Sequence, residues 1–210
     1  MLVLDSSTTS NGLSLWRTGY IFRRFAADTD GASAVEFALV SIPFILVIGA
    51  IFQLCLINWA SQNLDESLQK AARTIYTGNF QAANKSQRSS DALIQSLKDS
   101  ICGAAASNSG RVFGCSDLKI DVSTSTSFAA SKSATAFDEQ TGTWSKDFGT
   151  KYTCAKPGDI VVITAALKYP VAFRFLNIGF ASFGDGSRLI MSTVVMQTEP
   201  YDTSSGSACS

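Results

Sequence analysis

The most apolar part of the chain is a run of 23 residues, 37–59, that contains no charged side chain. Its polar interruptions are Ser41, Gln53 and Asn58. A helix rises about 1.5 Å per residue, so the run is about 34 Å long and can cross a hydrocarbon core of about 30 Å. Buried helices of soluble proteins rarely carry so long a run without a polar face. The pattern therefore predicts a single transmembrane helix over residues 37–59.

The hydrophobic pattern changes from continuous to periodic after the run. Apolar positions recur at spacings of three and four, as on one face of an amphipathic helix, at Leu64, Leu68, Ala71, Ala72 and Ile75. Glu66 and Lys70 stand at i and i+4 on another face, where they can pair. We therefore expect the helix to leave the membrane and continue to Tyr76, with Gly78 acting as its C-terminal cap.

The rest of the chain predicts a small domain with one further helix and a few strands. Residues 79–90 look like a polar linker, and Ser90 can cap a helix whose apolar face carries Leu93, Ile94, Leu97 and Ile101. Alternating or β-branched runs predict strands at residues 118–122, 160–169 and 187–198, with a Ser/Thr/Ala-rich surface loop at 123–136. The fold class is thus α+β: a long N-terminal helix that continues into a domain with an antiparallel sheet.

A group of phenylalanines lies between the last two predicted strands, at positions 173, 175, 180 and 183. Core filling or packing against the membrane surface is one interpretation of this group. An exposed apolar patch that binds partners is the alternative.

Composition removes several classes of function. The chain contains no histidine, which excludes most catalytic triads and most zinc sites, and no metal site or cofactor is expected. Lysine plus arginine equals aspartate plus glutamate, 17 each, and no basic cluster exceeds Arg23-Arg24. The balance favours neither nucleic-acid binding nor a polybasic membrane contact. No paired-acid motif replaces the missing histidine, so no catalytic residue is assigned and an enzyme is not expected.

The cysteines and the arginines both indicate which side of the membrane holds the domain. Cys55 lies within the apolar run and four cysteines follow it, an even number that suits two disulfides in an oxidising compartment. Three pairings are possible. Cys102–Cys115 is favoured because it closes a short loop, and Cys154–Cys209 then follows by elimination, although free buried thiols are an alternative. Arg17, Arg23 and Arg24 precede the run, which favours a cytoplasmic N-terminus.

One carboxylate, Glu36, stands at the edge of the apolar run. A glutamate in the first turn of a helix is ordinarily explained by the helix dipole. Here it follows Gly31 by five residues and is followed directly by Phe37. This arrangement resembles the processing site of type IV pilins and pseudopilins. The resemblance implies that a prepilin peptidase cuts between Gly31 and Ala32, which removes residues 1–31 and leaves a mature chain of 179 residues.

Physical reasons support each part of that arrangement. Glycine lets the backbone enter a protease cleft without a side-chain clash. Cleavage would create an ammonium group at Ala32, and Glu36 stands at i+4 from it, where it can neutralise that amine or the amine of a neighbouring subunit. A carboxylate in an apolar setting needs such a partner. Glu36 is therefore interpreted as a docking charge for assembly.

A longer block is similar to the TadE/TadG-like family of minor pseudopilins, which act in assembly of the tight-adherence (Tad or Flp) pilus. It covers about 45 residues and is marked by Gly31, by residues 35–38, by Pro43, which should kink the membrane helix, by residues 71–73 and by Gly78. Weaker similarity lies in residues 168–170 and 194–201. The chain is too short for the large von Willebrand-type domain of the longest relatives, so TadE-like is the better description.

The resemblance implies an organisation and a set of partners. Residues 1–31 would be a cytoplasmic leader, 32–78 the TadE-like segment and 79–210 a periplasmic domain. The protein would span the bacterial inner membrane once and meet the prepilin peptidase, other pilins or pseudopilins and the pilus assembly platform, with no nucleic acid and no catalysis. The alternative is an uncleaved, signal-anchored periplasmic domain that binds a ligand or envelope partner.

Overall fold

A computed structural model describes residues 31–87, 89–107, 112–173 and 183–201 of the 210-residue chain. The chain divides into two compact units, the first ending at Gly49 and the second beginning at Ala50. Helix α1, Ala32–Tyr76, supplies the described part of the first unit and the first 27 residues of the second. The second unit is an α+β domain with a three-stranded antiparallel sheet, as the sequence predicts.

The predicted amphipathic face of α1 is confirmed. Every one of its apolar positions is at most 2% exposed: Leu64, Leu68, Ala71, Ala72 and Ile75. Lys70 Nζ lies 2.7 Å from Glu66 Oε1 on the solvent side, so the predicted pair also forms. The helix ends at Tyr76, and Gly78 follows with φ of 75°, a left-handed conformation that glycine adopts at little cost.

The segment predicted as a polar linker is shorter than expected, which is a correction. Residues Asn79–Ala83 form a short helix, α2, that buries Phe80 and Gln81. A second correction concerns the cap of the next helix, α3, Ser90–Ser107. The backbone N–H of Ala92 donates to the side chain of Ser89 at 3.2 Å, so Ser89 rather than Ser90 is the capping residue. The predicted apolar face of α3 is confirmed, since Leu93, Leu97 and Ile101 are buried and Ile94 packs against the same core.

The sheet contains β1 (Lys119–Ser125), β4 (Ile160–Tyr169) and β5 (Arg188–Gln197) in the order β1-β4-β5. Both pairs are antiparallel; Val122 lies opposite Ile163, which lies opposite Val194. One face of the sheet packs on α1 and α3 through side chains that alternate along the strands: Ile120, Val122, Val161, Ile163, Ala165, Leu167 and Ile190. The three strands and the C-terminal part of α1 thus enclose one hydrophobic core.

The other face of the sheet is covered by the stretch that the sequence predicted to be a surface loop and by the hairpin after it. Residues Phe128–Ala130 form a short 3-10 helix, and Ala136 is 2% exposed. Strands β2 (Phe137–Asp138) and β3 (Thr143–Trp144) pair to form the hairpin. Because Ala136 and Phe148 pack on Ala166 of the central strand, the second half of the predicted loop belongs to the core, which corrects that prediction.

The aromatic contacts beside the hairpin show how one of the four phenylalanines between the last two strands is used. Phe183 is 3% exposed, with its ring centroid 5.2 Å from that of Phe137 and 4.9 Å from that of Trp144. Phe183 therefore fills a core. Phe173 is half-buried, and positions 175 and 180 lie outside the described residues.

Candidate functional site

The start of α1 is the region that sequence reasoning marked as a processing and docking site. Gly31 lies directly before the helix, and its carbonyl accepts the first helical hydrogen bonds, from the N–H groups of Ala34 at 3.1 Å and Val35 at 3.2 Å. Among the described residues, apart from its chain neighbours, none has a heavy atom within 4 Å of the position that a Cβ on Gly31 would occupy. The peptide bond between Gly31 and Ala32 is therefore at the N-terminal boundary of the helix.

Glu36 and Phe37 are both exposed in the first turns of α1, and Phe37 is 76% exposed. Ala32 and Glu36 are four residues apart in the same helix, which places them on one face, one turn apart. The helix thus brings these two residues to one face, and the processing and docking roles assigned to them from the sequence stay predictions.

The apolar residues that follow Glu36 are exposed rather than packed. Between 45% and 76% of each large side chain is accessible at ten positions of the first unit: Val35, Phe37, Leu39, Val40, Ile42, Phe44, Ile45, Leu46, Val47 and Ile48. A core helix of a soluble domain would bury these groups. Helix α1 is long and apolar enough to cross a membrane, and with the folded domain that follows it fits a single-pass membrane protein.

Pro43 lies inside α1, and the helix continues through it. Proline has no N–H, so the carbonyl of Leu39, four residues earlier, receives no helical hydrogen bond from it. In a membrane helix neighbouring helices can satisfy such a carbonyl. The expected kink at Pro43 stays a prediction.

A polar contact that the sequence did not reveal joins α1 to the domain. The side chain of Gln53 is 6% exposed, and its Oε1 accepts a hydrogen bond of 2.8 Å from the backbone N–H of Phe173. Its Nε2 has no hydrogen-bond partner among the described residues. In the sequence Gln53 is one of three polar interruptions of an apolar run, and only the tertiary contact distinguishes it from Ser41 and Asn58.

The structure describes four of the five cysteines. Cys102 on α3 and Cys115 before β1 form a disulfide, with their Cα atoms 6.2 Å apart. Cys154 is also disulfide-bonded, whereas Cys209, the partner that elimination assigned to it, lies outside the described residues. Cys55 is a free, exposed thiol on α1.

A polar cleft of about 320 Å³ lies beside the hairpin-covered face of the sheet. Asp121 on β1 is 6% exposed at its edge, and its Oδ1 accepts backbone hydrogen bonds from Gly149 at 2.9 Å and Lys151 at 3.1 Å. Asp147 and Lys151 pair loosely across its rim at 3.8 Å. The other polar lining residues are Ser123, Lys132, Thr135 and Ser145. Among the described residues no cluster of three or more acidic or cysteine side chains could hold a metal ion.

Two pKa shifts in the second unit have ordinary structural causes. The backbone N–H of Ser187 donates to Asp185 at 2.9 Å and, with Lys168 at 3.2 Å, holds the pKa of that carboxyl below its ordinary value. Burial raises the pKa of Tyr152, and the nearby phenol of Tyr201 raises that pKa further. These shifts follow from turn geometry and core packing, and none of these groups lies at the start of α1.

Residues 31–73 match the model of the TadE-like protein family. This part of the chain is a TadE-like segment. The match begins at the glycine that precedes α1 and ends at Arg73, in the last turn of that helix. The TadE-like segment supports a function associated with the Tad pilus. No curated protein and no solved structure matches the chain.

Proposed function

We propose that the protein is a minor pseudopilin of TadE-like type that acts, without catalysis, in assembly of a Tad (Flp) type IV pilus. The observation that carries this proposal is the coincidence of two boundaries. The TadE-like match and helix α1 begin at adjacent residues, Gly31 and Ala32, which is where a pseudopilin would be cut. The partners are accordingly a prepilin peptidase, other pilins or pseudopilins, and the assembly platform.

Cleavage between Gly31 and Ala32 would change the chemistry of the helix start. The carbonyl of Gly31, which accepts from Ala34 and Val35, leaves with the leader. The new ammonium at Ala32 then adds positive charge to the end of α1, where the helix dipole is already positive. A carboxylate one turn away offsets that charge, and Glu36 occupies this position.

The same pair can form between subunits. In an apolar environment an unpaired carboxylate costs several kcal/mol, so a Glu36 that finds the amine of an adjacent subunit gains more than it would in water. The exposed apolar side chains of residues 35–48 can then pack against neighbouring helices. Glu36 would act as a docking charge, and Phe37 beside it would contribute apolar contact.

Disulfides support a periplasmic location for the second unit. A disulfide between Cys102 and Cys115 and a second one at Cys154 are expected to persist only in an oxidising compartment. Three arginines before the span favour retention of the N-terminus in the cytoplasm. We place the protein in the bacterial inner membrane on these grounds, with one span.

Mass spectrometry of the protein purified from membranes tests the proposal. An N-terminus at Ala32 in normal cells, with the intact chain in cells that lack the prepilin peptidase, is the expected result. Replacement of Gly31 by leucine should block cleavage, whereas the matched change Gly49→Leu inside α1 should leave cleavage unaffected. Recovery of full-length chains from normal cells would contradict the proposal.

The polar cleft beside Asp121 and Lys151 favours a second candidate, an uncleaved anchored domain that binds a small polar ligand or an envelope component. The two candidates share the membrane span and differ at the Gly31–Ala32 bond. The same mass measurement separates them, because the second candidate retains its leader.

A further inference from the structure

The part of α1 that belongs to the second unit has two different surfaces. Gln53, Ile57 and Ala60 face the domain and are at most 7% exposed. The opposite side carries the apolar patch, defined as Ile51, Phe52, Leu54 and Trp59, whose side chains are 41–65% exposed. Over residues 53–59 the helix is therefore packed on one side and uncovered on the other. The uncovered side also carries the exposed side chain of Asn58, whose amide donates to the carbonyl of Leu54 at 3.1 Å.

The apolar patch ends sharply. The next outward-facing positions are Gln62, Asp65 and Glu66, all exposed and polar. In the other direction the patch runs without interruption into the candidate membrane span of the same helix. A surface that is continuous with the span and stops at the first charged turn has the character of a contact with the membrane interface.

The contact at Gln53 limits how deeply this part of α1 can lie in a bilayer. Residues 171–173 contain no helix or strand, Ala172 is exposed, and the N–H of Phe173 donates to Gln53. Irregular backbone that faces lipid does not occur in the hydrocarbon region, because its polar groups would lack hydrogen-bond partners there. The hydrocarbon boundary therefore falls on the N-terminal side of Gln53.

The residues before Gln53 are sufficient for a complete span. Positions 32–52 rise about 32 Å as a helix, and the hydrocarbon core is about 30 Å thick. Residues 53–59 add about 10 Å, which is more than the headgroup layer of about 5–8 Å on one side of a bilayer, so the helix passes through that layer within these residues.

We propose that the apolar patch seats the domain on the lipid headgroup layer, and that the hydrocarbon span is residues 32–52 rather than 37–59. The ligand is the interfacial region of the bilayer itself. This inference requires only that α1 crosses a membrane, so it stands or falls separately from cleavage at Gly31 and from a role in pilus assembly.

Cys55 allows a direct test, because it is a free, exposed thiol beside the patch. A nitroxide on Cys55 of the full chain, in nanodiscs of phosphatidylethanolamine and phosphatidylglycerol, reports its depth through relaxation by oxygen and by a water-soluble nickel chelate. The variant Cys55→Ser measures any labelling elsewhere. In that background Ile42→Cys, Ile48→Cys and Gln62→Cys supply reference positions along the same helix.

The two spans give different depth profiles. A span of 32–52 puts the deepest label at position 42, with 48 about 9 Å nearer the surface and 55 about 20 Å from the bilayer centre, among the headgroups. A span of 37–59 puts the deepest label at 48 and leaves 55 about 6 Å inside the hydrocarbon. The first profile is the expected one, and the second would overturn the proposal.

Contact of the apolar patch with water or with a second copy of the protein would change the spectrum of the Cys55 label in different ways. Full access of the Cys55 label to the nickel chelate, equal to that at position 62, would show a patch in water. Dipolar broadening that disappears on dilution with unlabelled protein would show a second copy on the patch. Either result contradicts a lipid contact.

Discussion

The ring of Tyr201 lies directly against the backbone of Gly78. A Cβ on Gly78 would stand 2.5 Å from the Tyr201 Cγ and within 2.8 Å of two further ring carbons. The Tyr201 hydroxyl donates to the carbonyl of Ala155 at 2.9 Å, and the N–H of Glu199 donates to the carbonyl of Tyr76 at 3.1 Å. The segment after β5 is thereby fixed against the end of α1, at a glycine whose φ is also positive.

Substitution Gly78→Ala is expected to lower the free energy of unfolding by about 2–4 kcal/mol, from backbone strain and displacement of the Tyr201 ring. The matched control is Gly158→Ala. Gly158 has φ of 85°, but no described residue other than its chain neighbours comes within 4 Å of its Cβ position, so only the strain of about 1–2 kcal/mol applies. Thermal unfolding of the full chain in detergent measures both, and equal shifts would show that the Tyr201 contact contributes nothing.

Substitution Glu36→Leu is expected to leave membrane insertion intact and to abolish pilus assembly, because the amine at Ala32 would lose its carboxylate. Glu36→Gln separates charge from size and should fail similarly. The control is Glu66→Ala, which removes an exposed pair with Lys70 worth only about 0.5 kcal/mol. Electron microscopy of cells and immunoblots of sheared pili give the readout; normal piliation with Glu36→Leu would refute the docking role.

Replacement of both Cys102 and Cys115 by serine is expected to destabilise the domain by about 2–3 kcal/mol. The disulfide joins residues 13 apart in sequence, and a loop of about that length restricts the unfolded chain by about 3 kcal/mol. For a domain of this size the midpoint of thermal unfolding should fall by about 4–10 °C. Cys55→Ser changes a free, exposed thiol and should leave the midpoint unchanged.

Stability is expected to fall above pH about 10, and Tyr152→Phe should reduce that fall. Burial raises the pKa of Tyr152, with a smaller contribution from Tyr201. The unfolded chain loses this phenolic proton near pH 10, whereas the folded chain keeps it to higher pH, so rising pH favours the unfolded state. Urea unfolding of the unsubstituted protein and of Tyr152→Phe, at pH 8 and at pH 10.5, measures how much free energy of unfolding each protein loses as the pH rises. An equal loss in the two proteins would contradict a buried, neutral phenol at Tyr152.

Much of the fold follows from one-dimensional patterns in the sequence. Leu64, Leu68 and Ile75 define the buried face of α1 by spacing alone, and the β-branched run from Ile160 identifies the central strand. The hairpin could not be predicted in this way, because β2 and β3 have only two residues each. Ala136 looked like part of a polar loop and is buried only because Phe148 and Ala166 meet it from distant parts of the chain.

The candidate site also has features that the sequence predicts and features that depend on tertiary contacts. Gly31, Ala32 and Glu36 are local in sequence, so their spacing on one helix follows from helical geometry. Gln53 and the apolar patch depend on which side of α1 the domain covers, which the uniformly apolar run does not encode. The cleft beside Asp121 depends on hydrogen bonds from Gly149 and Lys151, about 30 positions later in the chain.

Helix α1 has a mechanical consequence for the domain. Leu64, Leu68 and Ile75 are completely inaccessible to solvent and lie in the centre of its core. Axial tension that reaches this part of the helix is therefore borne by interior packing and by the adjoining strands, with no compliant connector to absorb it. Drawing the anchor out of its lipid would therefore load the buried face of α1 and the strands packed against it directly.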